Sequence, residues 1–308
     1  MENLETEKFD YVIIGAGCAG LASAQYAARG GLSVLVLDLA GAGGQVLQIA
    51  DLENYPGVFP AVDGATYMMT MQKQAESFGA KIVQAQVLSI DKTGGSFLVK
   101  TKKTSYEATC LCIATGAIHR NLKVPGEKEL SGRGVSYCAT CDGPFFRNKK
   151  IVVVGGGDSA CSEAIYLSTI SGDVSIIHRR DKFRAQQAVI DKMLEAGVKP
   201  VYDSVVKSIN GQGRVQSVTI ENVKTGEQSE LSTDAVFIFT GMLPQTDLVE
   251  MLPKDPSGYI LTDENMETSV PGLFAAGDVR SKPFRQVVTA VSDGAIAAHV
   301  ASERIRNA

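Results

Sequence analysis

At 308 residues, with 44% hydrophobic and 21% charged side chains, the chain is long enough for two hydrophobic cores and has the composition of a folded globular protein. Its formal net charge of −4 gives no bulk attraction to a phosphate backbone or an anionic lipid surface, so neither nucleic acid nor membrane is expected as a partner. No stretch approaches the roughly 20 apolar residues of a membrane span, and the opening MENLETEKFD is acidic without an apolar run, so the expected location is the cytoplasm. In that reducing compartment the six cysteines are not expected to form a structural disulfide framework, and a close pair points to catalysis or to a metal.

Tyr11 to Ile14 form an apolar run that ends in Gly15-Ala-Gly17-Cys-Ala-Gly20. An alanine-rich helical stretch follows to about Arg29, then a second run, Ser33 to Leu37, closed by Asp38. Strand, glycine turn, helix and strand in this order are the grammar of a dinucleotide-binding unit. Ala65 to Phe78 reads as an amphipathic helix, Lys81 to Ile90 and Ser96 to Lys100 as strands, and Ala108 to Ile113 as a short buried strand running into Ala114-Thr115-Gly116. The same grammar returns at Ile151 to Val154, in Gly155-Gly-Gly157-Asp158-Ser159-Ala160, along a helical stretch to about Ile170, and in Val174 to Ile177. Asp234 to Phe239 repeats the earlier buried strand by ending at Thr240-Gly241, and the strand Gly272 to Ala275 leads through Gly277-Asp278 into a long helix, about Arg285 to Arg306. This internal duplication predicts an α/β fold with two Rossmann-like units.

In such a turn the first glycine permits the bend, the second admits a pyrophosphate to the backbone, and the third lets helix pack on strand. The phosphate rests on the helix N-terminus. Asp38 stands where a carboxylate can accept hydrogen bonds from a ribose diol. At the matching offset the second unit presents His178, followed by Arg179, Arg180 and, a turn later, Arg184. Guanidinium groups bind a 2′-phosphate that a carboxylate would repel, so the second site is expected to prefer NADPH. A lone basic triplet reads as a solvated charge run; its place at a strand end reverses that preference.

Between the units lies Cys138-Ala-Thr-Cys141, followed by Asp142. Two cysteines so spaced can close a small disulfide loop and, near a helix start, react near neutral pH. Asp142 is a candidate proton donor and acceptor for them. The rival reading is half of a zinc site, which needs about four ligands. Cys18, Cys110, Cys112, Cys161 and the three histidines supply no second close pair, so no metal is expected and those four cysteines read as small packing residues.

Taken in order, Gly15-Ala-Gly-Cys-Ala-Gly20, Gly43-Gly-Gln45, Glu53-Asn-Tyr-Pro-Gly57, Ala114-Thr-Gly116, Cys138-Ala-Thr-Cys-Asp-Gly143, Gly155-Gly-Gly157, His178-Arg-Arg-Asp-Lys-Phe-Arg184 and Gly277-Asp-Val279 with Arg285-Gln286 resemble the bacterial low-molecular-weight thioredoxin reductases over essentially the whole chain. The resemblance implies a discontinuous FAD-binding domain, residues 1–117 and 245–308, with an NADPH-binding domain, 118–244, inserted and carrying the redox dithiol. It implies that Gly15, Gly17, Gly20, Asp38, Gly44, Gln45, Asn54, Ala114, Thr115, Gly116, Gly277, Asp278, Arg285 and Gln286 hold FAD. Gly155, Gly157, Asp158, Ser159, His178, Arg179, Arg180 and Arg184 would hold NADPH. Cys141 would face the flavin, Cys138 would attack the partner's disulfide, and the inserted domain would rotate between the two half-reactions. Cys18 stands where the family often has proline, and Ser162 where it often has glutamate; neither removes a group the mechanism needs.

The implied function is NADPH-dependent reduction of thioredoxin through FAD, Cys138 and Cys141, by a homodimer. An aromatic pair after the dithiol helps dock thioredoxin in that family, and Phe145-Phe146 occupies the place here, although burial is the commoner state of aromatic side chains. The alternatives are an FAD-dependent dithiol oxidase, a reductase of another small dithiol protein, and a nucleotide-binding redox sensor. The arginine cluster argues against the oxidase, and the dithiol argues against a ferredoxin-type NADP reductase. A peroxiredoxin-reductase relative is expected to carry a further N-terminal dithiol domain ahead of the first fingerprint.

Overall fold

The computed structural model describes residues 6–49, 52 and 54–307. Residues 1–5 of the acidic opening segment and Glu53 of the 53–57 string lie outside the described residues. The chain divides into two compact units, residues 1–118 with 243–308 and residues 119–242.

In chain order the first unit contributes β1 (Thr6–Ile14), α1 (Cys18–Arg29), β2 (Val34–Asp38), α2 (Gly64–Ser77), β3 (Lys81–Gln84), β4 (Val87–Thr93), β5 (Ser96–Thr101), β6 (Ser105–Ile113) and β7 (Ala117–His119). The inserted segment holds β8 (Val135–Ser136), α3 (Ala139–Asp142), β9 (Ile151–Gly155), α4 (Asp158–Ser168), β10 (Val174–Ile177), α5 (Gln187–Glu195), β11 (Lys199–Val201), β12 (Ser204–Asn210), β13 (Ser217–Asn222), β14 (Gln228–Ser232) and β15 (Ala235–Phe239). The chain returns through β16 (Met242–Pro244), which pairs with β7, and ends in β17 (Leu273–Ala275) and α6 (Val287–Arg306).

From Tyr11 to Ile14 apolar residues run without a break along β1 because its two faces are covered there by different layers. Tyr11 and Ile13 enter one core with α1, α2 and α6, whereas Val12 and Ile14 enter another. Alanines make the close packing of α1 on α6 possible: Ala19, Ala22, Ala27 and Ala28 share their core with Ala297, Ala298 and Ala301. Asp63 caps α2 by accepting the Thr66 N–H at 2.8 Å, an interaction of about 1 kcal/mol. In the second unit Ile151 and Val153 of β9 pack beneath α4, and Val152 and Val154 face the antiparallel strands β12 and β13.

The expected single strand from Lys81 to Ile90 is two strands. β3 pairs in parallel with β2, whereas β4 pairs antiparallel with β5, and the order across the sheet is β3-β2-β1-β6-β5-β4. Only Ala85 and Gln86 connect strands at opposite ends of that order, so the antiparallel arm curls back over the parallel face. Ile90, Phe97 and Val99 accordingly share a core with Leu35 and Leu37. The final helix starts at Val287, not Arg285, because the Gln286 side chain accepts from the N3 backbone while Thr289 caps in return. The antiparallel β12-β13-β14 layer and α5 were not foreseen; short strands of mixed polarity carry little periodic signal.

Candidate functional site

In the first unit the carboxyl ends of β1, β2, β6 and β17 are in register, with Ile14 beside Leu37 and Ile113, and Ile113 beside Ala275. Ligands of open α/β sheets bind at such ends. Gly15 turns there at φ +110°, and a Cβ on Gly20 would stand 1.8 Å from the Gly15 carbonyl oxygen, so only glycine permits the contact of helix with turn. Gly17 caps α1 without a side-chain hydrogen bond, which leaves first-turn N–H groups for an anion.

Asp38 is held in place by backbone donors. Its carboxylate accepts Ala16 N–H at 2.8 Å, Ala40 N–H at 2.8 Å and Gly41 N–H at 3.0 Å, tying the end of β2 to the glycine turn. Gly43 N–H reaches the Ala16 carbonyl at 2.9 Å and so sets Gly44 and Gln45 beside that turn, with Gln45 donating to the Ala117 carbonyl. Ala114 N–H follows β6 onto Ile14, Thr115 donates to the Gln245 carbonyl at 2.6 Å, and Gly116 takes φ +68°. Asn54 donates to Gln286 at 3.2 Å. The Arg285 guanidinium lies 3.8 Å over the Tyr259 ring.

Two buried polar atoms here, Asp278 Oδ1 and Arg285 Nε, have no hydrogen-bond partner among the described residues. With the uncapped start of α1 they fit a group that carries a diphosphate and hydroxyls. Gly277 N–H donates to Asp293 at 3.1 Å, which fixes the turn that presents Asp278. Lys282, Asp293 and Arg280 complete this cluster and were missed in the sequence. The available signal was a lone acidic residue on the alanine face of α6.

The second glycine turn is built around an imidazole. His178 Nδ1 lies 3.0 Å from the Gly155 carbonyl, and a Cβ on Gly156 would meet that nitrogen at 2.1 Å. His178 is buried, and burial, helped by Arg184 and Arg180, pushes its pKa down, so the ring is neutral near pH 7. The positive charge of this region therefore comes from Arg179, Arg180 and Arg184, all exposed and none in an ion pair among the described residues. Gly157 caps α4, again without a side-chain bond, and Ser159 is exposed in its first turn. Asp158 accepts the Gln186 N–H at 2.8 Å and Arg184 N–H bonds the Gly156 carbonyl at 2.7 Å, so the arginine loop is pinned to the turn.

Cys138 and Cys141 are joined as a disulfide, Cα atoms 5.3 Å apart, with Cys138 capping α3. Cys141 N–H donates to Cys138 Sγ at 3.2 Å. Ser136, missed in the sequence, organises the segment: its hydroxyl accepts Cys138 N–H at 3.1 Å and also hydrogen-bonds Asp142. Burial pushes the Asp142 carboxyl upward and the Ser136 bond pulls it partly back. Phe145 is 49% exposed, whereas Phe146 packs edge-on against Phe237. Cys18, Cys110, Cys112 and Cys161 are buried, their thiols pushed up to about 12, 11, 12 and 11, as expected of packing residues. No cluster of three His, Cys, Asp or Glu suited to a metal occurs among the described residues.

Residues 9–294 match the pyridine nucleotide-disulphide oxidoreductase family model. Thioredoxin reductase of Treponema pallidum is 50% identical over 303 residues, 98% of each chain. The Bacillus subtilis thioredoxin reductase is 44% identical over 96% of this chain and 94% of its own. The crystal structure of thioredoxin reductase from Streptococcus pyogenes superposes with a TM-score of 0.93 at 45% identity, covering 98% of this chain and 99% of that one. The chain therefore belongs to the pyridine nucleotide-disulphide oxidoreductases and, within them, to the thioredoxin reductase family of flavin- and pyridine-nucleotide-dependent enzymes.

Proposed function

We propose that this protein is a cytoplasmic, homodimeric enzyme that passes the electron pair of NADPH, by way of FAD, through Cys138 and Cys141 to the disulfide of thioredoxin. The observation that carries this reading is the Cys138–Cys141 disulfide beside Asp142, on the same unit as the second glycine turn. In the first unit, the α1 N-terminus would take the diphosphate, Asp278 a ribityl or ribose hydroxyl, and Arg285 with Gln286 the polar edge of the ring system. When bound there, FAD supplies the two-electron relay between nicotinamide and dithiol.

Reduction breaks the Cys138–Cys141 bond and leaves two thiols. Cys138 Sγ, as thiolate, attacks one sulfur of the thioredoxin disulfide and expels the other as a thiolate, forming a mixed disulfide. Cys141 Sγ then attacks Cys138 Sγ, closes the pair again and releases the second thioredoxin thiolate. Asp142 supplies and removes the protons, and the Cys141 N–H steadies the Cys138 thiolate. Because one unit carries both the nucleotide turn and the dithiol, and both serve one flavin ring, turnover requires that unit to alternate between two orientations. Phe145 is the exposed aromatic contact for thioredoxin.

The absorption spectrum of the purified protein tests this reading. A flavin band bleached by NADPH and restored by oxidised thioredoxin is expected; a band that NADPH does not bleach, or that only oxygen restores, overturns it.

A further inference from the structure

Lys282 is a lysine whose side chain is only 5% exposed, with its Nζ 3.3 Å from Asp278 Oδ1 and 3.1 Å from Asp293 Oδ2. Thr289 Oγ1 lies 3.3 Å from the same nitrogen. Asp293 is itself buried; its second oxygen receives Arg280 at 3.3 Å, and Arg280 in turn donates to Thr262 at 2.8 Å. Two carboxylates and two cations thus balance in one buried cluster. A solvated lysine contributes little by pairing at a surface, but an ammonium taken out of water is kept only where its partners are fixed.

The cluster is not a closed structural pair. Asp278 Oδ1 accepts no hydrogen bond in good geometry, although the Lys282 charge sits beside it. We infer that Lys282 is a positioning residue of the flavin site, its buried ammonium holding the Asp278 carboxylate for a hydroxyl of the bound cofactor. The inference rests on the flavin reading of the first unit.

The groups facing Asp278 make the pH consequence explicit. Lys282 and Arg285 favour its charged form; Asp293 from α6 opposes it, and the Cys18 thiol from α1 and the Tyr259 phenol face the same carboxylate. Burial raises the Asp278 pKa and Lys282 is the largest influence lowering it. Removing Lys282 therefore raises it further, so that the charged acceptor is lost at a higher pH than in the wild type. The sign is definite: flavin retention in the variant fails from the acid side first.

The test is titration of apoprotein with FAD, followed by quenching of flavin fluorescence, across mildly acidic to mildly alkaline pH. For K282M the dissociation constant is expected to rise about 10- to 100-fold, the factor for one hydrogen bond to a charged group. The pH midpoint of flavin release is expected to move up by about one unit or more, the shift in the acceptor's pKa that such a factor corresponds to. K282R should restore both. In D278N the pH dependence should vanish, and adding K282M to it should change affinity by less than about threefold, as expected of residues acting through one interaction. If K282M does not fold, the charge-balanced pair K282M/D293N takes its place, with an upward shift still expected but smaller, because loss of the Asp293 charge lowers the Asp278 pKa in part. Wild-type apoprotein that binds no FAD rejects the flavin reading itself. Wild-type binding together with an unchanged affinity and pH profile in the Lys282 variants rejects this inference alone.

Discussion

Cys138 caps a short helix that holds Cys141 and Asp142, and there one backbone N–H, one serine hydroxyl and a partly buried carboxyl share the management of two sulfurs. Replacing either cysteine by serine is expected to abolish thioredoxin reduction while NADPH still bleaches the flavin; full turnover in either variant rejects the dithiol route. Asp142→Asn should slow the thiol–disulfide steps by about 10²–10⁴-fold, the range for losing a general acid–base, as read by rapid-reaction absorbance. Ser136→Ala gives a subtler outcome. The Ser136 hydroxyl holds the Asp142 pKa down against burial, so its removal lets that pKa rise. The limb of the pH–rate profile governed by Asp142 should then move to higher pH, and an unmoved profile would show that Asp142 does not set it.

At the scale of elements, two similar strand–turn–helix units differ in the residues that close the second strand. In the first unit Asp38 accepts three backbone N–H groups. In the second, the Gly155 carbonyl holds His178 Nδ1 and the exposed arginines keep the charge. Each hydrogen bond to a charged group contributes roughly 1.5–3 kcal/mol, so Arg179→Ala with Arg180→Ala should lower kcat/KM for NADPH on the order of 10²-fold or more. NADH, lacking the 2′-phosphate, should be little affected. An equal fall with both nucleotides would mean that the arginines support the loop instead, and a wild type preferring NADH would contradict the charge argument.

For the whole molecule, the inserted unit leaves and re-enters through β7 and β16, which pair with each other, and Thr115 and Gly116 hold Gln245 on the first unit's side. The first unit should therefore close on itself. Joining residue 118 to residue 243 by a short turn is expected to yield a folded protein that binds flavin but does not oxidise NADPH. Circular dichroism and retained flavin absorbance check this; an unfolded product would show that the first unit depends on the second.

Much of this enzyme could be read along the chain because its features are local. A glycine turn between an apolar strand and a helix, a dithiol with spacing of three, and a carboxylate or arginine at a strand end each declare themselves within about 25 residues, as the dinucleotide fingerprint does. Gly15 to Gly20, Cys138 to Asp142 and the helix ending at Arg306 were legible for that reason. The features that only the tertiary structure decided join residues with no local pattern between them. The curl of β4 to β6 over the parallel face depends on which sheet edge a strand finds, and nothing in Lys81 to Ile90 states it. The neutral imidazole of His178 comes from burial against Gly156, and the cluster of Lys282 with Asp278 and Asp293 comes from the turn that leads into α6. Charge and burial are properties of surroundings, and those surroundings exist only once the chain has folded.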